Sequence, residues 1–217
     1  MTIKYNSPVV ITFSLVCVVV QGINFFTNDL LVSFLGLRAE FEFSTIFDYL
    51  SLMSYTIVHA DIDHLLSNLS LILLLGPVLE EKYGSMLLLL AMFVTALITA
   101  MFHILWFDEG LIGASGIVFM MIMLISFTNM QGGGIPITFI LILFLYIGRE
   151  VYNVIESDNV SQFAHIIGGM LGSLLGFMSK PNIVTHSPLP VKTPKTTPEP
   201  KPEKNSNPTN DFDHFGQ

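Results

Sequence analysis

Long apolar stretches separated by short polar ones run through most of the chain, and their lengths predict helices that cross a membrane. A helix rises about 1.5 Å per residue, so about twenty apolar residues cross a hydrocarbon core of about 30 Å. We predict six such spans, at about 9–26, 63–80, 85–105, 115–129, 136–152 and 161–178. The fourth span is too short to cross. It should therefore begin inside the membrane, below a loop that dips into the protein.

The polar segments predict the domain organisation. A short N-terminus at 1–8 precedes a membrane domain at 9–179. The first loop of this domain, at 27–60, mixes acidic residues with many aromatic ones, and we expect short amphipathic helices that lie at the membrane interface. The segment 180–217 holds eight of the eleven prolines and five lysines, so it should be a disordered tail.

Polar residues also mark the ends of individual spans. Asp61 or Asp63 is placed to cap the start of the second span, and Glu80, Glu81 and Lys82 should mark its end. The first span could instead be a signal peptide. No small-x-small cleavage site follows it, so we expect a retained helix.

Composition narrows the class of protein. The chain has 217 residues, of which 52% are apolar and 12% charged, about half the charged fraction of a soluble domain. This predicts an all-α, polytopic membrane protein. The net charge is −8 and no basic patch lies outside the tail, so a nucleic-acid partner is not expected. Cys17, the single cysteine, excludes an intramolecular disulfide and a multi-cysteine metal site.

The basic residues predict the orientation in the membrane. Six spans place both termini on one side, and seven of the nine lysines and arginines fall on that side: Lys4, Lys82, Lys180, Lys192, Lys195, Lys201 and Lys204. The other two are Arg38 and Arg149. Loops rich in lysine and arginine stay in the cytoplasm. Both termini should therefore be cytoplasmic, and Ser115 should open to the outer face.

Gly113-Ala114-Ser115-Gly116 opens the fourth span and is the first candidate for chemistry. The backbone N–H groups at a helix start are unpaired, and glycines let a substrate come close to the serine. Small residues around a serine are also common where membrane helices simply pack together. A nucleophile therefore needs a base and an oxyanion site from elsewhere in the chain.

Histidines in two other spans could supply these groups. His64 and Asn68 are four residues apart, hence on one face of the second span. His165 lies in the sixth span, on the face that carries a stripe of glycines, Gly168, Gly172 and Gly176. Such a stripe lets two helices approach closely. If the neighbour is the fourth span, His165 can reach Ser115, and Phe119, one turn later, should pack on the imidazole.

No carboxylate lies at the middle of any span, which favours a Ser-His dyad over a triad and argues against an intramembrane aspartyl protease. HExxH is absent, which argues against a zinc protease. A metal site built from His59, His64 and His165 would lack an acid or thiolate ligand. We therefore expect neither metal nor cofactor.

These motifs resemble the rhomboid family of intramembrane serine proteases. The resemblance is carried by HADIDHLLSN (59–68), GASG (113–116) and AHIIG (164–168), in this order. It implies a six-transmembrane-helix bundle that cleaves single-pass transmembrane proteins within the bilayer, and we expect this bilayer to be a bacterial inner membrane.

The resemblance also implies a role for each matching residue. Ser115 looks like the nucleophile and His165 like its general base. His64, Asn68 and the backbone N–H of Ser115 look like the oxyanion hole. The supporting positions are His59, Gly113, Gly116, Phe119 and Gly168. Glu80 falls where family members anchor the first loop.

The chain departs from the family pattern at two points. The tryptophan-arginine pair of the first loop is missing, and Phe119 replaces a common tyrosine. Two other functions stay open. A proteolytically inactive rhomboid-like protein would bind transmembrane helices for quality control, but it should lack the serine or the histidine. A small-solute transporter should show repeated halves. The sequence leaves the oligomeric state open.

Overall fold

A computed structural model of the chain describes residues 6–130 and 159–179, together with four helical residues at 137, 140, 141 and 144. Its helices are α1 (Pro8–Thr27), α2 (Leu30–Leu35), α3 (Ile46–Ser54), α4 (Ile62–Tyr83), α5 (Ser85–Trp106), α6 (Ser115–Met130) and α7 (Asn159–Met178). A 3-10 turn, Tyr55–Ile57, follows α3.

Three predicted spans, now α1, α4 and α5, are confirmed as helices long and apolar enough to cross a membrane. The described apolar parts of α6 and α7 are shorter, at Ser115–Phe127 and Gln162–Met178. The 16 residues of α6 cover about 24 Å, as the prediction of a short fourth span requires. The predicted fifth span at 136–152, apart from those four helical residues, and the tail at 180–217 lie outside the described residues.

The central helix is α6, which packs against α4, α5 and α7. No residue from Ser115 to Phe127 is exposed, and six of its apolar side chains are buried: Ile117, Val118, Met120, Met121, Ile122 and Leu124. A helix that is apolar all round is buried inside a protein. The other helices thus surround the one that begins at Ser115. We call the end of the bundle where α6 begins the Ser115 end.

The helix that forms the second span runs a little beyond the predicted 63–80. The helix α4 continues past Pro77 and Glu80 to Tyr83, and it stops at Gly84, where φ is +83°. Glycine adopts such an angle without steric cost, so it can end a helix where another residue would be strained. Glu80 does not mark an exit toward water because it is only 4% exposed.

Glu80 instead caps α1 from the neighbouring helix. Its two carboxylate oxygens accept hydrogen bonds from the backbone N–H groups of Val9 (3.0 Å) and Val10 (3.1 Å), and Ser85 Oγ donates to Oε1 at 2.7 Å. Ser7, the residue at the N-cap position of α1, makes no side-chain cap bond. The expectation that Glu80 anchors the first loop is therefore wrong. Its partners lie at the opposite end of the bundle from Ser115.

Replacing Glu80 by alanine should destabilise the folded protein by about 3 kcal/mol. Two backbone N–H groups at a buried helix start would lose a charged acceptor. The measurement is the free energy of unfolding in mixed detergent micelles. Glu81→Ala is the matched control because Glu81 is exposed on the same helix turn. Equal stability of the two variants would contradict the capping role.

The first loop is held at the Ser115 end without the tryptophan-arginine pair. Leu37 and Leu111 exchange two backbone hydrogen bonds, both 3.0 Å, as an isolated antiparallel bridge. Ser54 Oγ donates to the carbonyl oxygen of Leu35 at 2.7 Å. Asp48 accepts from the backbone N–H of Thr45 at 2.9 Å, which lowers the pKa of its carboxyl. Backbone pairing thus fixes the loop beside the segment that leads into α6.

Candidate active site at the start of the central helix

Ser115 is the first residue of α6 and is half-buried. The chain enters this helix through Gly113, whose φ is +109°, a conformation that L side chains rarely adopt. The backbone N–H of Gly113 donates to the carbonyl oxygen of Tyr55 at 2.9 Å. Tyr55 is fixed in turn by its hydroxyl, which donates to the carbonyl oxygen of Ala96 at 3.2 Å. The turn before Ser115 is therefore held by the first loop and by α5.

His64 lies directly against this turn. A Cβ atom added to Gly113 would come within 2.7 Å of Cε1 and 2.8 Å of Nε2 of the His64 ring. Glycine is thus required at position 113 both by its backbone angle and by the imidazole packed on it. The structure brings His64 next to the segment that contains Ser115, as the oxyanion prediction requires.

Asn68 follows His64 on the same face of α4. Its Nδ2 donates to the carbonyl oxygen of His64 at 3.0 Å, which uses one of the two N–H groups of the amide. The start of this helix is capped by Asp61, whose Oδ1 accepts from the backbone N–H of His64 at 2.7 Å. Of the two predicted caps, Asp61 is the one the structure uses.

The glycine stripe of α7 packs against α6, which was the expected neighbour. A Cβ at Gly168 would collide with the carbonyl oxygen of Gly116, and one at Gly172 with that of Met120. A Cβ at Gly116 would lie 3.3 Å from the carbonyl oxygen of Ala164, the residue before His165. The turn of α7 that carries His165 therefore touches the first turn of α6.

The rings of His165 and Phe119 stack with a centroid distance of 4.3 Å and an angle of 14° between their planes. This is the contact expected from the sequence. Phe119 is one helix turn from Ser115, so the stacking holds the imidazole on the side of α6 where Ser115 lies. His165 is 8% exposed, which leaves it shielded from bulk water.

His59 is fully buried behind His64. The two rings contact each other with centroids 5.1 Å apart and planes at 76°. Burial, together with the charge that His64 can carry, lowers the pKa of His59 from 6.5 to about 4. His59 is therefore a neutral side chain at neutral pH, in a position to support His64.

Acidification should destabilise the fold through His59. The unfolded chain binds a proton at this residue below pH 6.5, whereas the folded protein does so only near pH 4. The part of the unfolding free energy that depends on neutral His59 is therefore fully present above pH 6.5. Between pH 6.5 and pH 4 this free energy falls by about 1.4 kcal/mol per pH unit, about 3 kcal/mol in all. The measurement is the unfolding free energy across this pH range. His59→Gln should remove this part of the pH dependence of the unfolding free energy. If the variant and the wild type lose stability equally as the pH falls, His59 is not responsible.

Sequence reasoning missed Tyr55, Leu37 and Leu111, which position the turn before Ser115. Their contributions are mainly backbone carbonyl and N–H groups, which any residue possesses, so no residue type could have signalled them. Only Tyr55 also contributes a side-chain group, its hydroxyl, and it stands among the many aromatic residues of the first loop.

The arrangement can support nucleophilic chemistry by a serine. A hydroxyl at a helix start, a neighbouring imidazole and nearby donors from a second imidazole and an amide are the parts that acyl transfer uses. Among residues 6–130 and 159–179, no three His, Cys, Asp or Glu side chains are placed to hold a metal ion together.

Comparison with known protein families shows to which family the chain belongs. The family model described as the Rhomboid domain matches residues 47–182, well over half of the chain. This match includes Ser115, His165, His64 and Asn68. No curated protein compared with the chain matches it.

Proposed function

Because the chain belongs to the rhomboid family of integral membrane proteins, we propose that it is an intramembrane serine endopeptidase with a Ser115–His165 dyad. The observation that carries this proposal is the contact between α6 and α7. Gly168 lets the two helices meet at Gly116, and Phe119 stacks on His165 one turn from Ser115. An imidazole held beside a serine at a helix start is the arrangement that activates a hydroxyl nucleophile.

In the proposed reaction, Ser115 Oγ attacks the scissile carbonyl carbon while His165 accepts the hydroxyl proton. The backbone N–H of Ser115, His64 and Asn68 donate hydrogen bonds to the resulting oxyanion. The intermediate collapses, the C–N bond breaks, and His165 passes the proton to the leaving amine. Water then attacks the acyl carbon while His165 accepts one of its protons. The ester C–O bond breaks, His165 returns the proton to Ser115 Oγ, and the new carboxylic acid end of the substrate leaves. No metal or cofactor takes part.

The substrates in this proposal are single-pass transmembrane proteins. The site opens to the outer face of the membrane and both termini are cytoplasmic, as the distribution of lysine and arginine favours. Burial of the site among helices supports a substrate segment that arrives from the bilayer. The half-buried Ser115 leaves access for water from the outer side.

The test is cleavage of a reporter transmembrane protein by purified protein in liposomes. Cleavage should continue in EDTA, because the dyad needs no metal. A serine-reactive fluorophosphonate should label Ser115, and this labelling should require His165. Loss of cleavage in EDTA that zinc restores would contradict the dyad. Folded protein that neither cleaves nor reacts with the probe would favour an inactive, helix-binding member of the family.

A further inference from the structure

A groove of about 430 Å³ lies between the end of α1 and the start of α4. Its polar lining consists of three carboxylates and three amides, from Asp29, Asp61, Asp63, Gln21, Asn24 and Asn28. In the part of the chain that the structure describes, no basic side chain lines the groove, and its carboxylates form no ion pair. The groove therefore attracts cations and repels anions.

A ligand of this groove should carry a positive charge, and Asn24 adds a second requirement for that ligand. Asn24 lines the groove, is 1% exposed, and its Oδ1 accepts from the backbone N–H of Leu31 at 2.9 Å. Its Nδ2 has no hydrogen-bond partner among the described residues. The bond from Leu31 fixes which way the amide points, so the side chain cannot turn round to satisfy this donor. A buried N–H without an acceptor is unfavourable, and a carbonyl oxygen from a ligand would satisfy it.

The two requirements together point to a peptide with a basic side chain. A metal ion would use the carboxylates but not the amide donor, and no three described His, Cys, Asp or Glu side chains are placed to hold one together. A peptide offers a carbonyl oxygen for Asn24, and its lysine or arginine offers a cation on a flexible stem. Such a ligand matches both the negative charge of the groove and the unpaired N–H donor of Asn24.

The groove and the candidate active site share the start of α4. Asp63 is the residue before His64, whose ring contacts Gly113. A helix with its side chains is about 10 Å wide, and an extended peptide advances about 3.3 Å per residue. An extended peptide therefore crosses the width of α4 in about three or four residues.

We propose that this groove is a specificity subsite that binds a lysine or arginine of the substrate, about three or four residues from the cleaved bond. The carboxylates of Asp29 and Asp63 attract the basic side chain, and Asn24 donates to a neighbouring peptide carbonyl. This inference rests on the proposed protease function, since it concerns the substrate of the same site.

The experiment uses a series of reporters, each with one arginine at one of the four positions on either side of the cleavage site. A reporter with glutamine at the same position is the neutral control for each. At one position, wild type should cleave the arginine substrate with a kcat/KM about tenfold higher than the glutamine substrate at low salt. In Asp29→Asn/Asp63→Asn, the two substrates should be cleaved equally, at the wild-type rate for glutamine. High ionic strength should likewise abolish the preference in wild type.

The outcomes separate this inference from the proposed function. Cleavage that depends on Ser115 but shows no arginine preference at any position would overturn the subsite alone. So would a preference that survives in the folded double variant. If the double variant does not fold, each single variant must reduce the preference, and failure of both to do so would overturn the subsite. Absence of Ser115-dependent cleavage of every reporter would instead contradict the protease function.

Discussion

Replacing Ser115 by alanine should reduce cleavage of a transmembrane reporter by about a thousandfold or more, and His165→Ala should do the same. Ser115 supplies the atom that forms the acyl bond, and His165 moves the proton that makes this atom nucleophilic. The two residues act as one unit. The double variant Ser115→Ala/His165→Ala should therefore be no slower than either single variant.

Ser126→Ala is the matched control. Ser126 is a buried serine on the same helix, and its Oγ donates to the carbonyl oxygen of Ile122 at 2.6 Å, away from the site. It should keep cleavage near the wild-type rate. Wild-type rates in folded Ser115→Ala would contradict the assignment of the nucleophile, and additive losses in the double variant would contradict a dyad.

Gly168→Ala should destabilise the protein by about 3 kcal/mol and reduce cleavage by more than tenfold. A Cβ at this position would collide with the carbonyl oxygen of Gly116, and a backbone atom cannot rotate away as a side chain can. The helix α7 would have to move away from α6. This movement would separate His165 from Ser115, and a small misplacement of a catalytic group is costly to the rate.

Gly169→Ala provides the control on the same turn of α7. A Cβ there would lie 3.7 Å from Met123 Cγ, an ordinary van der Waals contact. Its stability and cleavage rate should match wild type or slightly exceed it, because alanine favours a helix more than glycine does. Unfolding in detergent micelles and the reporter assay measure both effects. Equal stability and equal cleavage rates in Gly168→Ala and Gly169→Ala would contradict the tight contact between α6 and α7.

The properties predicted well from the sequence are those fixed by neighbouring residues. The bounds of α1, α5 and α6 follow from the lengths of the apolar stretches, because a helix satisfies its backbone within itself. The shared face of His64 and Asn68 follows from the helical repeat. The close approach of another helix to the glycine face of α7 follows from the room that three glycines leave for a backbone, whereas the fourth span as the partner was implied only by the family resemblance.

Other features depended on contacts between distant segments. The cap that Glu80 provides to α1 joins residues about seventy positions apart, so the local sequence made Glu80 look like the end of a span. The pairing of Leu37 with Leu111 and the bond from Gly113 to Tyr55 use backbone groups that every residue carries. Apolar periodicity could not distinguish these partners from any others.

The sequence by itself thus determined the helical membrane architecture and the residues able to carry the chemistry, because hydropathy and residue type are written along the chain. The tertiary structure decided which of these groups meet. It placed the turn of His165 against the first turn of α6, the His64 ring against Gly113, and the carboxylate of Glu80 at the start of α1. The physical reason is that such contacts arise from the packing of helices remote in sequence, which local patterns do not encode.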